Sequence, residues 1–207
     1  MRSAIRHSQI AVLCTTALVA ACAKGDTSVD STKAADSATA GMAATSAAPA
    51  TGASEAGWTD PNILAFLDDA NVADSAAGSV AATKATSVDV KSFGKQMVRD
   101  HHAMRKEGQD VAKKLNVTPQ PKAGDMMAAE SAAFRDSLSS MSAGPAWDRT
   151  YIDHEVAGHE KVLTRAQSAA GATQNPDIKA LITKSAPKVQ AHLDKAKAIQ
   201  TKLGGAK

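Results

Sequence analysis

The stretch WDRTYIDHEVAGHEKVLTRAQSAA, residues 147–170, decides the fold. At 3.6 residues per turn, Asp148, Ile152, Glu155, Val156, His159, Leu163, Ala166 and Ala170 share one face. That is the apolar stripe of a bundle helix, with two acids and a histidine set into it. Pro145 opens this helix and Gly171 closes it, so the spacing predicts a helix over 145–171.

Outward from it, three more long segments carry the same period. Asp60-Pro61 reads as an N-cap followed by a first-turn proline, which predicts a helix over 60–85 with the stripe Ile63, Leu67, Ala70, Asp74, Ala77 and Ala81. Ser87 caps a helix over 88–116, striped by Val90, Met97, Met104 and Val111 and flanked by Phe93 and Leu115. The run Val117-Thr118-Pro119-Gln120-Pro121 breaks it. A shorter amphipathic helix over 125–141 follows, with Met126, Ala129, Ala133 and Leu138 as its apolar positions. Asn175-Pro176 opens the last helix, over 176–203, striped by Ile178, Ile182, Ser185, Val189, His192, Ala196, Ile199 and Leu203. Pro187 lies inside it and predicts a kink one turn before His192.

Four long helices and one short one, with short connections and no strand signal, make an all-α fold. We expect a ferritin-like four-helix bundle with a short crossover helix between the second and third long helices. Scarce aromatics (3%) agree with helices packed largely through alanine rather than with a β-sandwich.

The N-terminal region reads differently. Arg2 and Arg6 precede a short apolar run from Ile10 to Val19, which is the pattern of a signal peptide and too short to span a membrane as an ordinary helix. Leu18-Val19-Ala20-Ala21-Cys22 resembles a bacterial lipobox, in which the cysteine is acylated. The alternative is an ordinary signal peptide cut near Ala21 or Ala23. We expect a lipoprotein signal peptide over 1–21. A lipidated Cys22 and a disordered Ala/Ser/Thr-rich tether follow over 22–57, then the bundle over 58–207. About 35 tether residues reach roughly 30–35 Å. Cys14 falls within the signal peptide, so Cys22 has no internal disulfide partner after cleavage. With Ala23 rather than Asp after the cysteine, the expected location is the periplasmic face of the outer membrane.

The formal charge is +3, but setting aside Arg2 and Arg6 leaves 22 basic residues against 21 acidic ones. That balance is no footprint for nucleic acid. No nucleophilic triad, phosphate loop or nucleotide fingerprint is present.

The candidate site is a layer at mid-bundle. Asp74, His101, His159 and His192 lie at similar depth in four helices whose midpoints should meet, and Glu155 is one turn from His159. Three imidazoles and one or two carboxylates in a bundle core form a ligand set for one transition metal ion, such as Zn, Cu, Fe or Ni. The same residues could instead form a closed structural network, with Asp100, Asp148 and Tyr151 as hydrogen-bond partners of the rings. His102 and His154 are expected to point to solvent, and the methionines to fill the core.

The ordered motifs Phe93-Gly94-Lys95-Gln96-Met97-Val98-Arg99-Asp100-His101, Trp147-Asp148-Arg149-Thr150-Tyr151 with Glu155 and His159, and Pro187 through His192-Leu193 resemble the bacterial family called domain of unknown function 4142. The resemblance covers about residues 60–203 and implies an exported, often lipid-anchored, ferritin-like bundle. It implies no activity. His101, His159, His192, Asp100, Asp148 and Tyr151 match recurring positions of that pattern. Asp74 stands where glutamate is more usual, Ala76 where a second glutamate is common, and Trp147 replaces phenylalanine. A ferritin-type diiron centre fits poorly, because no Glu-x-x-His pair occurs in the bundle segment.

Three functions are compatible with these residues. One is a non-enzymatic binding or envelope-stress module with a structural His/Asp layer. The second is a metal-binding protein or metal-dependent enzyme using His101, His159 and His192 with Asp74 or Glu155. The third is an envelope scaffold for a protein partner.

Overall fold

The computed structural model describes residues 57–205, which form five helices and no strand. The segments expected to be a signal peptide, a lipidated Cys22 and a tether lie, up to residue 56, outside the described residues. The helices are α1 (Asp60–Lys84), α2 (Val88–Leu115), α3 (Met127–Ser140), α4 (Pro145–Ala172) and α5 (Pro176–Gly205).

Their ends follow from local chemistry. Thr59, not Asp60, is the N-cap of α1: its Oγ1 accepts from the Asn62 amide, and Asp60 is the first helical residue. The Asp60 carboxylate is instead held by the Thr173 hydroxyl at 2.6 Å, tying the start of α1 to the end of α4. Ser87 caps α2 as its position suggested. Asn116 ends α2 in the left-handed region at φ 52°, where its amide closes onto the carbonyls of Ala112 and Lys113. α5 stays helical through Pro187.

Contacts between helix ends set the topology. Asp148, near the start of α4, bonds Thr86 and Ser87 at the start of α2, so α2 and α4 run parallel. Lys202 meets Asp89 and Lys114 meets Asp177, so α5 runs antiparallel to α2. The bundle is therefore two antiparallel hairpins, α1–α2 and α4–α5, joined by a crossover that contains α3. α3 lies outside the α1–α4 edge, where Lys84 Nζ and Trp147 Nε1 both donate to the Leu138 carbonyl.

The α3 stripe differs from the expected one. Met126 is 57% exposed, and Ala129 and Ala133 face solvent. The covered face is Met127, Ser131, Phe134 and Leu138. The i, i+4, i+7, i+11 spacing is anchored by Phe134 and Leu138, whose area outweighs that of two alanines.

Two apolar clusters fill the bundle. One holds Phe93, Met97, Trp147, Tyr151, Ile152 and Ile199. The other holds Ile63, Phe66, Ala166, Ile178, Leu181 and Ile182 toward the opposite end. Within the first, α1 and α2 cross at a pair of glycines. A Cβ at Gly94 would lie 2.7 Å from Ala81 Cβ and from the Gly78 carbonyl oxygen. Only glycine at Gly78 and Gly94 permits this approach. Between the two clusters sits the polar layer.

Candidate metal centre

Each wall of the centre comes from a different long helix. α1 presents Asn71 and Asp74, three residues apart on one face. α2 presents Asp100 and His101, α4 presents Glu155 and His159 four residues apart, and α5 presents His192. The rings of His101, His159 and His192 form a triangle with centroid separations of 5.7, 5.1 and 5.6 Å. All three are buried, at 2%, 0% and 0% exposure.

The hydrogen bonds assign the protons. Asn71 Nδ2 donates to the Leu67 carbonyl at 2.6 Å, which turns Asn71 Oδ1 toward His101 Nδ1 at 3.0 Å. An amide oxygen only accepts, so Nδ1 carries the hydrogen and Nε2 is bare. His159 Nδ1 donates to the Glu155 carbonyl at 2.8 Å, leaving its Nε2 bare. His192 Nε2 donates to the Asp100 carboxylate at 3.0 Å, leaving its Nδ1 bare. These three bare nitrogens have no hydrogen-bond partner. One ring nitrogen from each histidine lies within 4.8 Å of one from each of the others. Asp74 Oδ2 stands 3.4 Å from His101 Nε2 and 4.0 Å from His159 Nε2.

The surroundings favour the neutral form of His101 and of His192. Burial pushes the His101 imidazolium down to about 4, aided by the neighbouring rings and opposed by Asp74. Burial lowers His192 too, against the pull of its bond to Asp100. Burial alone would raise the Asp100 carboxyl, but hydrogen bonds from His192 and Gln96 and the charge of Arg99 hold it below the usual range. Burial, then the charge of Asp74, pushes the Glu155 carboxyl well up.

A neutral imidazole with its far nitrogen pinned by a carboxylate or carbonyl is the form that ligates metals. A tetrahedral site with nitrogen ligands needs ligand atoms about 3.4 Å apart, so the rings, with nitrogens within 4.8 Å of one another, would close onto an ion to complete one. A cavity of about 30 Å³ borders Asp74 and His101, lined also by Asn71, Met104, Leu181 and Val189. That is room for about two water-sized molecules beside the ligands.

The sequence-derived residues are distributed as follows. Asp74, His101, Glu155, His159 and His192 do converge, and Asp100 supports His192. Asp148 does not reach a ring. Its carboxylate accepts from Thr86 N at 3.0 Å, Thr86 Oγ1 at 2.5 Å and Ser87 N at 2.7 Å, because the α1–α2 turn leaves those donors facing α4. Tyr151 packs between Phe93 and Trp147, and the polar group its buried hydroxyl faces is the Glu155 carboxyl one turn on, not a histidine ring. His154 is not solvated: its ring stacks on Phe134 at 3.4 Å, because α3 covers that side of α4. His102 is exposed, and Met97 and Met104 are core. The sequence reading missed Asn71. Its place three residues before Asp74, on the same helical face, was the available signal.

The family model described as Domain of unknown function (DUF4142) matches residues 31–199. The chain belongs to this family. The DUF4142 match starts ahead of Trp58 and takes in all of α1–α4 and most of α5. Neither the curated proteins nor the solved structures gave a match to the chain.

Proposed function

We propose that this DUF4142 protein is a cell-envelope metal-binding bundle. Its mid-bundle layer takes one transition metal ion through His101 Nε2, His159 Nε2, His192 Nδ1 and Asp74. One observation carries this reading: each ring spends one nitrogen on an acceptor outside the triangle and leaves the other unpartnered in the core. A purely structural layer would pair its members with each other, since each buried unpartnered polar atom costs about 1–3 kcal/mol. Here the cost is offset when an ion binds. The donor set has three imidazoles, one carboxylate and no thiolate, which favours Zn, Cu, Fe or Ni over Mg or Ca.

Export and anchoring rest on the sequence. The basic n-region, the short apolar run and the lipobox-like Leu18–Cys22 support acylation at Cys22 and retention at the periplasmic face of the outer membrane. No described helix is long and apolar enough to cross a membrane.

Elemental analysis tests the metal. The mature protein, purified without tag or chelator, is compared with a His101→Ala, His159→Ala, His192→Ala variant. Near-stoichiometric metal in the parent and none in a still-helical variant supports the reading. No metal in the parent, even after incubation with Zn, Cu and Fe, overturns it. Labelling with a radioactive fatty acid tests the anchor, and loss of label in Cys22→Ser is expected.

A further inference from the structure

We infer that the centre has a second cation position, between Asp74, Glu155 and His159, and so can hold two ions that share Asp74. This rests on the first-ion reading above. The observation is Glu155. It is 1% exposed, and neither carboxyl oxygen has a hydrogen-bond partner. Native cores seldom leave a carboxyl group so placed. The one basic group near it is His159 Nδ1, 3.5 Å from Oε2, and that nitrogen already donates to the Glu155 carbonyl. The Tyr151 hydroxyl, one turn earlier on α4, is its other polar neighbour and stands too loosely to close a hydrogen bond. A single ion held by three imidazoles and Asp74 gives neither Glu155 oxygen a partner.

Asp74, Glu155 and His159 each offer one ligand atom, and these lie within 4.8 Å of one another. Asp74 belongs to this group and also faces His101. It stands between the two positions: its Oδ2 lies 3.4 Å from His101 Nε2 and 4.0 Å from His159 Nε2, so this carboxylate can bridge. With two ions the ligands divide evenly. His101 and His192 keep the first ion, Glu155 and His159 take the second, and Asp74 spans both. Each unpartnered ring nitrogen of the layer, and the Glu155 carboxylate, then has an ion to ligate. The first position is imidazole-rich. The second has two carboxylates and one imidazole, a harder set that suits a divalent first-row ion. Paired ions sharing a carboxylate are a recurrent arrangement in protein centres.

The test is a cobalt(II) titration of the full mature protein, read by visible absorption and by metal bound after gel filtration. Glu155→Gln, which nearly preserves shape, is titrated in parallel, with circular dichroism to confirm its fold. The parent is expected to bind two equivalents. The second equivalent should alter the spectrum produced by the first, because His159 passes from one ion to the other. Glu155→Gln should stop at one equivalent, with the parent's one-ion spectrum. A parent that stops at one equivalent, or a Glu155→Gln variant that still binds two, overturns the second position and leaves the first-ion reading standing. A parent that binds no cobalt overturns both.

Discussion

Asp148 and Glu155 are seven residues apart on the same face of α4, and each is 1% exposed. Their surroundings are opposite. Asp148 accepts three hydrogen bonds from the α1–α2 turn, whereas Glu155 accepts none through its carboxyl group. Two turns of one helix thus show the two reasons a bundle buries an acid. At the end of the bundle the acid replaces missing backbone partners and fixes how the hairpins dock. At the middle it faces other unpartnered ligand atoms and is left for something the chain does not supply.

The largest expected effect breaks the comparison at Asp148. Asp148→Ala strands the Thr86 and Ser87 amides and should lower stability by about 3–5 kcal/mol in urea unfolding. Glu155→Gln, tested without metal at neutral pH, should leave stability unchanged or raise it, because no native hydrogen bond is lost and a carboxyl that burial disfavours in its charged form is removed. Equal losses would show that both acids are structural.

The next test is pH, on metal-free protein. His101 is held neutral, with its pKa lowered to about 4 from an ordinary 6.5. The folded state therefore binds fewer protons than the unfolded one between those values. The His101 contribution is present above pH 6.5 and lost as pH falls toward 4, by about 3 kcal/mol in full. Asp100, held low, adds a loss in the same direction. Glu155, held high, acts oppositely: its contribution is present at low pH and lost as pH rises. Acid destabilisation should therefore steepen in Glu155→Gln and flatten in a Glu155→Gln, His101→Gln double variant. Parallel pH profiles for the two would contradict the burial assigned to His101.

At the α1–α2 crossing, Gly94→Ala should cost about 1–3 kcal/mol, since its Cβ meets backbone as well as side chain. Gly171→Ala, with open space around it, should cost far less and serves as the control. The smallest effect sharpens the picture of the rings. Asn71→Ala removes the acceptor that orients His101 without removing a ligand, and should weaken metal binding about 10–100-fold at unchanged stoichiometry. A loss of stoichiometry would make Asn71 part of the site itself.

Much of this was legible in the sequence, for definite physical reasons. Helical period put Asp74, His101, His159 and His192 on inward faces, and similar helix lengths put them at one depth. Proline and serine marked most helix starts, whereas Gly171, expected to close its helix, lies inside α4, which runs on to Ala172 and is capped by Thr173. Three things were not legible. Asp148 has the same period and family position as a ring partner, but which donors face it depends on how the α1–α2 turn meets α4. The register of α3 depended on two large side chains outweighing several alanines, which also took His154 from solvent onto Phe134. The proton on each ring is fixed by neighbours such as Asn71, 30 residues away in the chain.

Each of the three buried imidazoles keeps one ring nitrogen without a partner inside the layer. Nitrogen-15 NMR of the histidine side chains in metal-free protein at neutral pH reads this directly. Hydrogen is expected on Nδ1 of His101 and His159 and on Nε2 of His192. One equivalent of zinc should then shift the three opposite nitrogens and leave His102 and His154 unmoved. An imidazolium at any of the three, a reversed tautomer, or signals that zinc does not move would contradict it.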